Sequence, residues 1–260
     1  MKTERITVSL AQITVFKGDV QKNLTMHLEL IAQSARHNAD VIVFPELSLI
    51  GYELELMKTR VLQPNSAVIS ELSNAAVMHN MVVIVGCPLP NKRPNDRLSE
   101  HSDKPSIGAI IVFPSGDVEF YNKQYLHEGE EVFCSAGSQN YSLSIKGFKL
   151  GLAICADFVN PQHAADMAKL NVDVYLVSAL ISTSGFDIDA GVLSNIAAQY
   201  KTPVLLANYA SETGGYLACG KSSAWDTNGQ LITLATSTEV GIFVCHVSQC
   251  GKVASMAIPE

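Results

Sequence analysis

The chain has 260 residues, 47% of them hydrophobic, with a formal net charge of −7 and a pI near 5.5. A chain of this size can enclose one sizeable core, and no Pro/Ser/Gly-rich linker or internal repeat divides it. The acidic balance and scattered arginines, all before residue 100, exclude the basic stripe of a nucleic-acid binder.

The N-terminal run is too short for a secretory signal, and no apolar stretch is long enough to span a membrane. The cysteines at 87, 134, 155, 219, 245 and 250 show neither CxxC spacing nor a zinc-like grouping with histidine. Free thiols, no metal, no membrane or nucleic-acid partner, and a cytoplasmic location are the expectations.

Residues 5–13 put Ile6, Val8 and Leu10 on one face of a strand. Asp19 caps a helix whose apolar stripe is read as Val20, Leu24, Leu28, Ile31 and Ala35. The run 40–44 has the character of a buried parallel strand and is ended by Pro45. A second helix follows Asn65, and a strand covers 81–86. The polar stretch 89–106 reads as a surface loop. Strands 107–113 and 118–121 flank a Pro-Ser-Gly-Asp turn. The second half repeats the theme: strands at 143–145 and 148–154 around Lys146-Gly147, a helix over 162–170, a strand at 172–178, a helix over 190–200, and a strand at 204–208. Strands near 222–225, 231–235 and 241–247 finish the reading, with Asn228-Gly229 as a hairpin turn. The alternation implies helices covering sheet faces. It leaves open two packed sheets or one doubly wound sheet.

Reacting groups in α/β folds gather beyond the carboxyl ends of strands. Glu46 follows VIVFP, Lys123 follows VEFYN and Cys155 follows KLGLAI. A thiol near a positive charge becomes a nucleophile. A carboxylate beside it can take its proton and return it to a leaving amine. A fixed ammonium can stabilise an oxyanion. Each residue also has an ordinary reading, as a small buried hydrophobe, a turn cap or a surface lysine.

Four segments carry a resemblance: VIVFPELSLIGYE (41–53), NKQYLHEGEEVFCSAG (122–137), GLAICADFVNPQHA (151–164) and NYASETGGYLACGKSSAWDTNGQ (208–230). Together they resemble the nitrilase superfamily of carbon–nitrogen hydrolases over nearly the whole chain. The resemblance implies a single domain over 1–260, folded as a four-layer α-β-β-α sandwich. It implies Glu46 as base, Lys123 as oxyanion stabiliser, Cys155 as nucleophile and Glu130 as the second glutamate, by its spacing to Gly137, with Glu131 as the fallback. The oxyanion would also meet the backbone N–H of Ala156. No cofactor is implied. The substrate would be a small carboxamide, or alternatively an N-carbamoyl compound or nitrile, and the assembly at least a homodimer. After the cysteine, Val159 and Gln162 stand where many members carry Arg and Glu, while Asp157 and Pro161 remain. Lys221 or an early arginine could take the place of the missing arginine.

Other readings are weaker. A Cys–His arrangement would have to use His127 or His163, and His163 is expected at the surface or as a cap on the helix after Cys155. Gly214-Gly215 and Gly220 suit tight turns better than a phosphate loop. A small-molecule-binding protein of the same fold is the non-enzymatic alternative.

Overall fold

The computed structural model describes residues 5–91, 104–235 and 238–259; most of the expected 89–106 loop lies outside them. In chain order the elements are β1 (Arg5–Gln12), α1 (Val20–Arg36), β2 (Val41–Val43), α2 (Ala67–His79), β3 (Val82–Leu89), β4 (Ser106–Val112), β5 (Val118–Asn122), β6 (Ser142–Ile145) and β7 (Phe148–Ile154). Then come α3 (Ala156–Val159), α4 (Pro161–Lys169), β8 (Val174–Ser178), α5 (Phe186–Tyr200), β9 (Val204–Ala207), β10 (Glu212–Thr213), β11 (Tyr216–Leu217), β12 (Ser223–Trp225), β13 (Leu231–Leu234), β14 (Gly241–Ser248) and β15 (Val253–Pro259).

Two large sheets form, in the orders β15-β14-β1-β2-β3-β4-β5 and β13-β12-β9-β8-β7-β6. Each has a parallel centre, β1-β2-β3 or β7-β8-β9, with antiparallel strands outside it. Parallel neighbours need crossovers. Helices α1 and α2 serve the first sheet, and α3 to α5 the second.

Side-chain alternation along the second sheet decides how the layers stack. Leu150, Leu152, Ile154, Val174, Leu176, Leu205 and Ala207 join the core that contains the first sheet. The residues between them, Ala153, Tyr175, Val177, Val204 and Leu206, pack with Phe158, Met167, Leu193 and Ala197 of the helices. One face of the sheet therefore meets the other sheet and the opposite face meets helices, which gives the four-layer α-β-β-α sandwich. This is why the central strands read as unbroken apolar runs rather than alternating ones.

Two expectations are corrected here. The buried face of α1 is Asn23, Leu24, His27, Leu30, Ile31 and Ser34, rotated from the apolar stripe read in the sequence. Its polar members are all bonded. Asn23 bridges Phe16 and Leu49, His27 bonds Ser48, and Ser34 bonds Ser9. Such partners remove the cost of burying polar groups, and they come from distant segments that periodicity does not register. The chain also adds an edge strand, β15, paired antiparallel to β14, after the last strand expected from the sequence. Its alternation is weak and it contains a proline, which edge strands tolerate.

Leu152, fully buried, lies between the sheets, whereas Ile188 on α5 is 74% exposed. Leu152→Ala is expected to cost about 2–5 kcal/mol and Ile188→Ala no more than about 0.5 kcal/mol. Urea unfolding of the two variants checks this; equal losses would contradict the layer assignment.

Candidate active site

The site lies where the carboxyl ends of β2, β5 and β7 converge. Each reactive residue is held by a backbone feature that its neighbours enforce.

Glu46 sits on the tight turn after β2. Leu47 takes a positive φ of 53°, and Ser48 and Leu49 donate back to Pro45 and Gly86. A Cβ at Gly86 would run into the backbone of Pro45 and Leu47, so only glycine lets the turn approach β3 this closely. Ser48 is fixed from behind by His27, whose ring stacks on Phe44 at 4.0 Å. Burial lowers the His27 pKa to about 4, so that imidazole is neutral.

Lys123 follows β5. Its N–H donates to Ile107 and its carbonyl accepts from Gly137. A Cβ at Gly137 would overlap the Asn122 backbone. The two next residues, Gln124 and Tyr125, donate their N–H groups to Asp157 Oδ1, each at 2.9 Å. Asp157 Oδ2 accepts from Ile154 N (2.9 Å) and Tyr121 Oη (2.7 Å). One buried carboxylate thus ties the lysine segment to the cysteine turn.

Cys155 occupies the sharp turn from β7 into α3 with φ 43° and ψ −110°. A non-glycine residue in that region stores about 1–3 kcal/mol. Strained strand-to-helix turns of this kind present a nucleophile to solvent. Cys155 N–H donates to Ser178, and Ser178 Oγ donates across the sheet interface to Phe44 O at 2.7 Å. The thiol is half-buried and points toward Leu180 O at 3.7 Å.

These supports bring the charged groups into one buried cluster. Lys123 Nζ lies 2.6 Å from Glu46 Oε1 and 2.7 Å from Glu130 Oε1. Glu46, Lys123 and Glu130 are 0%, 0% and 1% exposed, so the ammonium has no water to turn to and must be shared between the carboxylates. Glu130 Oε1 also accepts from Tyr52 Oη at 2.5 Å, and Oε2 from His127 N at 2.8 Å. Glu46 Oε2 is buried and has no conventional hydrogen-bond partner among the described residues, while the Cys155 side chain lies close enough to help hold the Glu46 carboxylate.

The electrostatics follow from this crowding. Burial pushes Glu46 up to about 7 against the pull of Lys123, and Glu130 adds to the rise. Burial disfavours the charge on Lys123, but the flanking carboxylates outweigh it and hold the ammonium well above the usual lysine range. Burial, then the Glu46 charge, raises the Cys155 thiol well above the cysteine range, with Lys123 opposing. The resting thiol is therefore protonated and needs a base. The free oxygen of Glu46 can be that base.

The structure brings together Glu46, Lys123, Cys155 and Glu130. It chooses Glu130 over Glu131, which is exposed and accepts from Gly129 N. The Ala156 N–H is the first of α3 and has no intrahelical acceptor. Gly214 and Gly215, both at positive φ, form the turn between β10 and β11, as their tight-turn reading expects.

His163 departs from its expected surface or cap role. It lies on α4 but is fully buried, between Tyr121 Oη (3.2 Å) and Tyr175 Oη (2.8 Å). The His127 ring is exposed and bonds Glu128 O, so both imidazoles are engaged away from the thiol. Val159 and Gln162, in place of the charged pair, are exposed, and Gln162 bonds Asp166. Lys221 rests over the Phe186 ring at 4.4 Å. Sequence reading assigned no role to Tyr52 or Tyr121, because their partners are remote in the chain. Among the described residues no group of histidine, cysteine or carboxylate side chains could hold a metal, and no helix is long and apolar enough to cross a membrane.

Comparison with known proteins gives this arrangement a family. The model for carbon-nitrogen hydrolase matches residues 7–254. The chain belongs to the carbon–nitrogen hydrolase family. It is 23% identical to an (R)-stereoselective amidase of a Pseudomonas species, over 90% of this chain and 82% of that protein. It is 25% identical to a glutamine-dependent NAD(+) synthetase of Thermotoga maritima over 88% of this chain, but spans only 40% of the synthetase. Among solved structures, a nitrilase-superfamily amidase from Nesterenkonia sp. AN1 superposes with a TM-score of 0.82 at 22% identity, covering 95% of this chain and 92% of that one. That structure carries the acetamide moiety of fluoroacetamide added covalently at its active-site cysteine.

Asp157 receives four donors, two on each oxygen. In Asp157→Asn the amide NH2 would face two donors whichever way it is turned. A loss of about 3 kcal/mol is expected, read as a lowered thermal midpoint. Wild-type stability would mean that the carboxylate does not join the two segments.

Proposed function

We propose that this carbon–nitrogen hydrolase is an amidase that cleaves small carboxamides through a thioester on Cys155. The observation that carries the reading is the buried Glu46–Lys123–Glu130 cluster beside the strained cysteine, with one oxygen of Glu46 lacking a conventional hydrogen-bond partner among the described residues. The amidase relatives support the choice of an amide.

Glu46 accepts the thiol proton through Oε2, and Sγ attacks the carbonyl carbon. The carbonyl electrons move onto oxygen, where Lys123 and the Ala156 N–H meet the new negative charge. The intermediate collapses, the C–N bond breaks, and Glu46 passes its proton to the departing ammonia or amine. Water then gives a proton to Glu46 and its oxygen to the thioester, which releases the acid and restores the thiol. Glu130 fixes Lys123 throughout. No step calls for a metal or cofactor.

A thioester can be intercepted by a small nucleophile stronger than water. With an amide that is turned over, hydroxylamine is expected to divert product from acid to hydroxamate, and Cys155→Ala to form neither. Hydroxamate-free turnover, or near-normal ammonia release by Cys155→Ala, sinks the mechanism.

The same base sets the pH profile. Glu46 must be ionised to take the thiol proton, and burial holds its proton on up to about pH 7. kcat/KM is expected to fall as pH drops through that value, whereas an ordinary glutamate would keep activity down to about pH 4–5. A flat profile from pH 5 to 8 would exclude Glu46 as the base.

A further inference from the structure

Tyr52 belongs to the loop after β2, but a distant part of the chain holds its backbone. Its N–H donates to Thr213 Oγ1 at 2.8 Å. Thr213 Oγ1 in turn donates to Glu53 Oε1 (3.1 Å), which also accepts from Gly214 N (2.9 Å). The contact is tight on both sides. A Cβ at Gly51 would strike Thr213 Oγ1, and one at Gly214 would strike the Tyr52 carbonyl. The Tyr216 ring meets the Tyr52 ring edge-on at 6.0 Å. The hairpin β10–β11 therefore clamps residues 51–53.

The other end of Tyr52 enters the charged cluster. Its hydroxyl donates to Glu130 Oε1, the oxygen that also takes the Lys123 ammonium. We infer that Tyr52 is a positioning residue that shares Glu130 Oε1 with Lys123 and so keeps the ammonium poised between the two glutamates, and that hairpin β10–β11 holds it there. The inference rests on the proposed roles of Glu46 and Cys155.

The physical effect has a definite sign. Burial, then the charges of Glu46 and Glu130, keep the Tyr52 proton far above the usual phenol range, so the hydroxyl is always a donor. It satisfies part of the hydrogen-bonding demand of Glu130. Without it, Glu130 would draw Lys123 more fully and press its charge harder on Glu46. Both effects make Glu46 hold its proton to higher pH. The groups that face Glu46 are Lys123 from the end of β5, Glu130 from the 3-10 turn Glu130–Val132, Cys155 from the β7–α3 turn, Tyr52 itself, and Tyr209, whose hydroxyl donates to Glu46 O. Cys134 lies beside Glu130, with Sγ 3.1 Å from its carbonyl oxygen.

The test uses the full chain and needs no substrate. Iodoacetamide alkylation of Cys155, mapped by peptide mass spectrometry, is followed from pH 5 to 9. In wild type the rate is expected to fall below about pH 7, as Glu46 takes up its proton. Tyr52→Phe is expected to move that limb up by on the order of one unit, which slows labelling by about fivefold at pH 7 and by about tenfold on the acid limb. Thr213→Val keeps the phenol but loosens its anchor, and is expected to shift the limb the same way by less; Thr213→Ser should restore it. If the limb stays at its wild-type position in Tyr52→Phe and Thr213→Val, Tyr52 only fills space and the inference is overturned. If Tyr52→Phe does not fold, Thr213→Val against Thr213→Ser decides alone. Failure of Cys155 to label in wild type at any pH would instead overturn the nucleophile assignment, and this inference with it.

Discussion

A buried ammonium shared by two buried carboxylates is the constraint around which this molecule is arranged. Moving Lys123, Glu46 and Glu130 out of water costs several kcal/mol per ion even after relaxation, and mutual attraction recovers this only if the geometry is good and the remaining lone pairs are met. The contacts of 2.6 and 2.7 Å, with Tyr52 and His127 N–H on Glu130, meet that condition everywhere except at Glu46 Oε2. A hydrophobic trio of the same volume would pack there without such conditions. The retained charge is therefore better explained by chemistry than by stability.

The exception is informative. Burial, against the pull of Lys123 and with a smaller push from the Glu130 charge, raises the proton affinity of Glu46 to near neutrality. Burial, then the Glu46 charge, keeps the thiol protonated. A protonated thiol and a carboxylate of lower proton affinity then stand side by side. In the proposed mechanism the proton moves between them as charge develops, rather than being lost to solvent beforehand.

The positions of Glu46, Lys123 and Cys155 come from backbone features around them rather than from their own side chains. Gly86 lets the Glu46 turn lie against β3, Gly137 lets the lysine segment lie against Asn122, and the unusual φ of Cys155 aims the thiol. Cross-sheet bonds, Ser178 to Phe44 and Tyr209 to the Glu46 carbonyl, lock the two sheets together beneath the site. Asp157 and Tyr121 do the same between the lysine and cysteine segments. The sandwich thus supplies both rigidity and exclusion of water. Its likeness to the Nesterenkonia amidase at 22% identity illustrates how far sequence can drift while these layers persist.

Local chemistry determined much by itself. Apolar runs placed the central strands, Pro-Ser-Gly-Asp, Lys146-Gly147 and Asn228-Gly229 placed hairpins, and Asp19 capped α1, because turn geometry and capping depend on neighbours a few residues away. The order Glu46, Lys123, Cys155 within four motif segments identified the family and named the residues that the structure brings together. Tertiary structure alone decided what depends on remote partners. It rotated the buried face of α1 onto Asn23, His27 and Ser34, and buried His163 between two tyrosines, whereas the two-sheet sandwich was already implied by the family resemblance. It placed Glu130, which motif spacing already favoured over Glu131, against Lys123 and left Glu131 exposed. It also gave Tyr52 its place, because a tyrosine in a loop has no visible purpose until the fold brings Glu130 to one end and Thr213 to the other.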